Sequence, residues 1–169
     1  RLLGIDRDLE MLRLAKSRVG SEGVSYYHAS FDQLPEVLRQ AQVGQVDAVL
    51  ADLGFCSDQV GNPAHGFSFQ IDGPLDMRQD QREPVTAADI VNRWSAEELA
   101  TIFWELGGER DSRRLARVIE RERAVRRIES TRQLAELIER ASPRHGRKSH
   151  PATKIFLALR RSEEHTSEL

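Results

Sequence analysis

The chain has 169 residues, of which 39% are apolar and 31% charged, with a net charge of −2. That is enough for one domain, or one domain with an insertion; no apolar run is long enough to cross a membrane, and without a leader pattern the expected location is cytoplasmic. The single cysteine, Cys56, excludes an internal disulfide and cannot build a thiolate metal cluster by itself.

The chain opens on Arg1 rather than Met, and its first residues already read as a strand: Leu2, Leu3 and Ile5 end at Asp6. A fragment that lacks its amino-terminal part is therefore expected. Leu9, Leu12, Ala15 and Val19 follow at close to a helical period. Val24–Tyr27 is a second strand, ending near Phe31, where Asp32 is placed to cap the helix expected over 34–41. Val46–Leu50 makes a third strand. Strands that alternate with helical patterns predict a βαβαβ arrangement and a parallel sheet. Asp6, Phe31 and Asp52 then fall at or just beyond strand carboxyl ends, the edge at which α/β folds bind ligands. An aromatic loop punctuated by Gly and Pro follows, from 53 to 83, and a long irregular segment in that place points to function.

Beyond the loop the period becomes helical. Ser95-Ala-Glu-Glu98 is a capping box, the stripe Leu99, Ile102, Phe103 and Leu106 follows, and Gly107-Gly108 ends the helix. A second helix turns Leu115, Val118 and Ile119 inward, leaving Arg113, Arg114, Arg117 and Arg121 outward. Ser130-Thr-Arg-Gln133 caps a third, with Leu134, Leu137, Ile138 and Ala141 inward, and Pro143 stops it. These predict a helical insertion over 84–143 into a domain whose first part is 1–83. Residues 144–160 return to that domain through a basic stretch with Arg147 and Lys148, then a helix started by Pro151 that buries Ile155, Phe156 and Leu159. Residues 161–169 break with this pattern. They match the in-frame translation of a common short-read sequencing adapter and are expected to be a non-native tail with few core contacts.

Charge is divided unevenly. Residues 1–106 hold 9 Lys and Arg against 17 Asp and Glu, whereas residues 107–160 hold 15 against 7. A basic half suits a polyanion; it suits equally a solvated helical face laced with ion pairs, since Glu109, Glu120, Glu122 and Glu129 are interleaved.

The chemistry-bearing residues are few. An acid at the end of a strand, as at Asp6, accepts hydrogen bonds from ribose hydroxyls in nucleoside-cofactor folds, and it also serves as a helix cap. Phe31 could pack on an adenine or in the core. Phe67 and Phe69 could stack on an extruded base or pin the loop. His65, His145 and His150 lack metal-site spacing, so no metal is expected. Cys56 reads as a packing residue.

Several strings together carry a resemblance: Asp52-Leu-Gly-Phe-Cys-Ser57 with Gln59, His65-Gly-Phe-Ser-Phe69, Asp72-Gly-Pro-Leu-Asp-Met-Arg78, Gly4-Ile-Asp-Arg-Asp8, Gly108-Glu-Arg110 and His150-Pro-Ala-Thr153. Over residues 1 to about 160 the chain resembles the bacterial 16S ribosomal RNA (cytosine-N4)-methyltransferase family, which uses S-adenosylmethionine. It departs at Cys56, where the family has Ser, at His65, where it has Arg, and at Gly108, where it has Glu. The resemblance implies a Rossmann-like class I methyltransferase core and N4-methylation of a cytidine in the 16S RNA of the small ribosomal subunit. It implies cofactor contacts at Asp6, Phe31, Asp52 and Gln59, and a glycine-rich cofactor turn upstream of Arg1.

Methyl transfer from a sulfonium requires alignment more than acid–base force. The cytosine amine lone pair is conjugated into its ring, so an acceptor for an amine proton raises its nucleophilicity. Asp52, Ser57 or a backbone carbonyl could be that acceptor. Two other functions fit parts of the pattern: a non-catalytic RNA- or protein-binding helical module on a degenerate nucleotide-binding fold, and a nicotinamide-dependent oxidoreductase using the same Asp6.

Overall fold

The computed structural model describes residues 1–143 and 149–166, with side chains through Ser162. It divides into two compact units, one of residues 1–55 and 79–82, the other of residues 56–78 and 83–169.

The first unit is a mixed α/β arrangement. Strands β1 (Leu2–Asp6) and β2 (Val24–His28) run parallel, in a register that sets Leu2 opposite Val24 and Asp6 opposite His28. The helix α1 (Leu9–Val19) connects them. Asp8 starts it, accepting hydrogen bonds from the Glu10 and Met11 amides, a cap worth about 1 kcal/mol. After β2 a short 3-10 turn, Phe31–Gln33, leads into α2 (Leu34–Gln40). Ser30 and Gln33 cap this turn, in place of the expected Asp32.

The third strand expected at Val46–Leu50 does not form: the sheet of the described residues has two strands. Val46 and Val49 are exposed, and Leu50 is 96% exposed. An apolar run supplies side chains for a buried strand, but a parallel strand also needs a neighbouring edge for its backbone groups. Among the described residues, 46–50 pairs with neither β1 nor β2.

The second unit is helical. A short α3 (Ser57–Gly61) and a 3-10 turn at Pro63–His65 precede α4 (Ala87–Arg93), α5 (Ala96–Glu105), α6 (Ser112–Val125), α7 (Thr131–Ala141) and α8 (Thr153–Thr166). Reciprocal capping boxes start α4, α5 and α7: Thr86 with Asp89, Ser95 with Glu98, and Ser130 with Gln133. The last two stand where the sequence places them. Leu99, Phe103, Leu115, Ile119, Leu134 and Ile138 are fully buried, joined by Ile155, Phe156 and Leu159 of α8.

The packing of α8 departs from the expected return to the sheet domain. Its apolar side lies on α5 and α4 within the helical unit. The approach is close at Gly107, where a Cβ would stand 2.4 Å from the Lys154 carbonyl oxygen. The helix also runs past Arg160: Ser162 is buried and its hydroxyl donates to the Leu159 carbonyl. No described helix is long and apolar enough to cross a membrane.

Candidate active site

Asp6 ends β1. Its carboxylate accepts the Asp8 amide, to Oδ1 at 2.8 Å, and the Arg7 amide. Burial pushes the Asp6 carboxyl above the usual carboxylate range, against the opposing pull of the Asp8 amide. A half-buried carboxylate at a strand end is suited to accept a ligand hydroxyl. Phe31, on the turn after β2, is 63% exposed, an unusual state for a phenylalanine and one that leaves its ring open to a flat ligand.

Sequence reasoning missed a second group in this unit. His28, the residue opposite Asp6, donates from Nε2 to the Arg7 carbonyl at 2.9 Å, and the same nitrogen stands 3.7 Å from Asp80. Burial acts to raise the buried Asp80 carboxyl. Hydrogen bonds from the Arg82 side chain and amide, with the charges of Arg82 and His28, nevertheless hold it below the usual range. The signal was a repeat, Asp76-Met-Arg78 and Asp80-Gln-Arg82. In each, the Arg amide and its Nε donate to the Asp two residues earlier, a local fork of charge-assisted hydrogen bonds.

Asp52 lies in the irregular stretch beyond residue 46, exposed, with no partner for its carboxylate among the described residues. It is therefore not at a strand end as expected. Ser57 and Gln59 belong to the helical unit. Ser57 is exposed at the start of α3, whereas Gln59 is buried and its Oε1 accepts the Cys56 amide at 3.0 Å. That acceptor is already occupied by a helix cap.

The loop that carries the family-like strings is tightly fastened. Leu75 and Met77 alternate inward and are fully buried. The Leu75 amide donates to the Glu129 carbonyl and the Met77 amide to the His65 carbonyl, while the Asp76 and Leu75 carbonyls accept the Ala87 and Ala88 amides that open α4. Asp72 accepts the Arg132 amide at the start of α7, which holds its carboxyl below the usual range. Met77 has φ +63°, a strain of about 1–3 kcal/mol that the surrounding contacts sustain. At Gly66, with φ +65°, a Cβ would stand 1.9 Å from the Pro74 carbonyl oxygen, so the chain can pass only as glycine.

Phe67 corrects one of the base-stacking expectations. It is 1% exposed and stacks on His65, with ring centroids 5.4 Å apart, so it pins the loop. Phe69 is half-buried between His150, at 4.6 Å, and Phe156, at 4.9 Å. No face or edge finds room for an extruded base at Phe67, because core packing claims the ring first.

The basic face also divides. Arg113, Arg117 and Arg121 are exposed on α6, each with no hydrogen-bond or acidic partner among the described residues. Arg114 is different: it donates to the Ala141 carbonyl that ends α7 and to Asp111. Its guanidinium closes a helix end. Arg147 and Lys148 lie outside the described residues. Among the described residues no group of His, Cys, Asp or Glu is arranged to hold a metal ion.

The model of the MraW methylase family matches residues 1–164. The chain is 47% identical over 163 residues to the ribosomal RNA small subunit methyltransferase H of Syntrophotalea carbinolica, covering 94% of this chain and 52% of that protein. Proteins of the same name from Legionella pneumophila and Solibacter usitatus are 42% and 45% identical, over 95% and 92% of this chain and 53% and 54% of theirs. The chain thus spans about half the length of these curated relatives.

Proposed function

Because this chain belongs to the MraW methylase family, we propose that it serves S-adenosylmethionine-dependent methylation of a cytidine N4 amine in 16S ribosomal RNA. The observation that carries the reading is Asp6, a half-buried carboxylate at the end of a parallel strand. The relatives' printed name supplies the ribosomal substrate.

In this reading Asp6 accepts the ribose hydroxyls, and the exposed ring of Phe31 covers the adenine. S-adenosylmethionine supplies an electrophilic methyl group. Asp52, exposed and without a partner, is free to accept an amine proton of the cytosine and so raise its nucleophilicity; Ser57 is the alternative acceptor. Gln59 supports the start of α3, where Cys56 and Ser57 meet. The protein acts in the cytoplasm on the small ribosomal subunit. Arg113, Arg117 and Arg121 track RNA phosphates, and Phe69 holds its loop against His150 and Phe156 in the same unit.

The test is transfer of labelled methyl groups to small ribosomal subunits that lack the modification, with the protein at the length at which it is active. Label in a cytidine exocyclic amine is expected. RNA binding without transfer would instead establish the non-catalytic module, the reading favoured by the unpaired arginine row taken alone.

A further inference from the structure

The corner between α5 and α6 holds an aromatic side chain that neither the core nor the proposed catalytic residues use. Trp104, in the last turn of α5, is 58% exposed, and its indole has no hydrogen-bond or ring partner among the described residues. An aromatic this large, left open at a helix end, is available to a ligand. Its surroundings say which. The chain turns at Gly108, φ +62°, whose amide donates to the Trp104 carbonyl at 3.0 Å. A Cβ at Gly108 would meet nothing within 4 Å, so open space adjoins the turn.

Cations gather at the same turn. The Lys154 ammonium donates to the Gly108 carbonyl at 2.7 Å, and exposed Arg110, two residues on, has no partner among the described residues. Arg113, Arg117 and Arg121 continue from it along α6, repeating every four residues, about 6 Å of helix. Of the acids nearby, Glu97 and Glu105 on α5 are exposed and make no ion pair among the described residues, Glu109 is buried and accepts the Asp111 amide, and Asp111 pairs with Arg114. Cations at the turn that follows an open helix-end aromatic suit a strand with charged phosphates and unstacked bases.

Resting on the reading of the arginine row as an RNA face, we propose that Trp104 is a stacking platform for an unpaired nucleobase of RNA, with Lys154 and Arg110 holding the adjoining phosphates. Duplex RNA, whose bases are already stacked, does not occupy it.

The experiment uses the full 169-residue chain. Trp94→Phe leaves Trp104 as the only tryptophan, so its emission reports on stacking while a labelled 12-nucleotide single-stranded RNA reports binding by anisotropy. Single-stranded RNA is expected to quench Trp104, and a duplex of the same sequence to leave it unquenched. Trp104→Ala should weaken single-strand binding about tenfold and Trp104→Phe much less. Binding that keeps its salt dependence but leaves Trp104 emission and the Trp104→Ala affinity unchanged would overturn this inference alone, and would leave the ring to a protein partner. No RNA binding at all would overturn the arginine-face reading and this inference with it.

Discussion

At the scale of single residues, the structure separates side chains that hold the fold from side chains that are available to a ligand. Asp52 is exposed and unpartnered, so Asp52→Ala should abolish methylation while changing stability by no more than about 0.5 kcal/mol, as for other exposed positions. Near-normal turnover, or an equal loss of melting temperature, would count against its assignment. Phe67 is the reverse case. Buried and stacked on His65, it should cost about 3–5 kcal/mol when truncated to Ala, read by urea unfolding. Asp6 shows why burial and partners both matter: burial raises its carboxyl, while the Asp8 and Arg7 amides pull it down.

At the scale of elements, α6 carries a conflict that stability does not resolve. Like charges four residues apart destabilise a helix by a few tenths of a kcal/mol per pair, yet Arg113, Arg117 and Arg121 repeat at that spacing without acidic partners among the described residues. Replacing Arg117 and Arg121 by Gln should leave thermal stability unchanged or slightly raised. It should also weaken RNA binding and reduce the salt slope by roughly one unit per lost contact. A slope that stays the same would make the row a solvated face. The loop 62–86 shows the opposite logic, since its backbone groups are paired with α4, α7 and the turn at His65. Gly66→Ala should therefore unfold the loop locally, costing about 1–3 kcal/mol and exposing it to protease, because neither the positive φ nor the Pro74 carbonyl leaves room for a Cβ.

At the scale of the whole molecule, acid should destabilise the helical unit. Asp72, Asp89 and Glu98 are all held below their usual range, chiefly by the Arg132 amide, the Thr86 hydroxyl and the Ser95 amide respectively. A carboxyl depressed in the folded state binds fewer protons there than in the unfolded chain. Its stabilisation is complete above the usual carboxylate pKa and is lost as pH falls through the lower folded value. Unfolding followed by circular dichroism should show melting temperature falling below the usual carboxylate range, with a shallower fall in Asp72→Asn and Asp89→Asn. Asp6 works in the other direction in the sheet unit: its raised pKa favours the protonated folded form, so its contribution is present at low pH and lost as pH rises through the folded value.

The sequence by itself determined whatever is local. The span of α1, the boxes at Ser95 and Ser130, the stop at Pro143 and the buried stripes of α5, α6 and α7 all follow from spacings within a few residues. The family-like strings were legible for the same reason, each being continuous in the chain. Only the tertiary structure decided what depends on distant neighbours. Val46–Leu50 has the composition of a strand but pairs with neither strand of the sheet among the described residues. Residues 153–162 have the pattern of a core helix, yet the pattern did not say that α5 and α4 would receive it. Phe67 and Phe31 are the same residue type, one sealed in the core and one open, because burial depends on what packs above a side chain. Periodicity fixes which face of an element is apolar; the partner that covers that face comes from elsewhere in the chain.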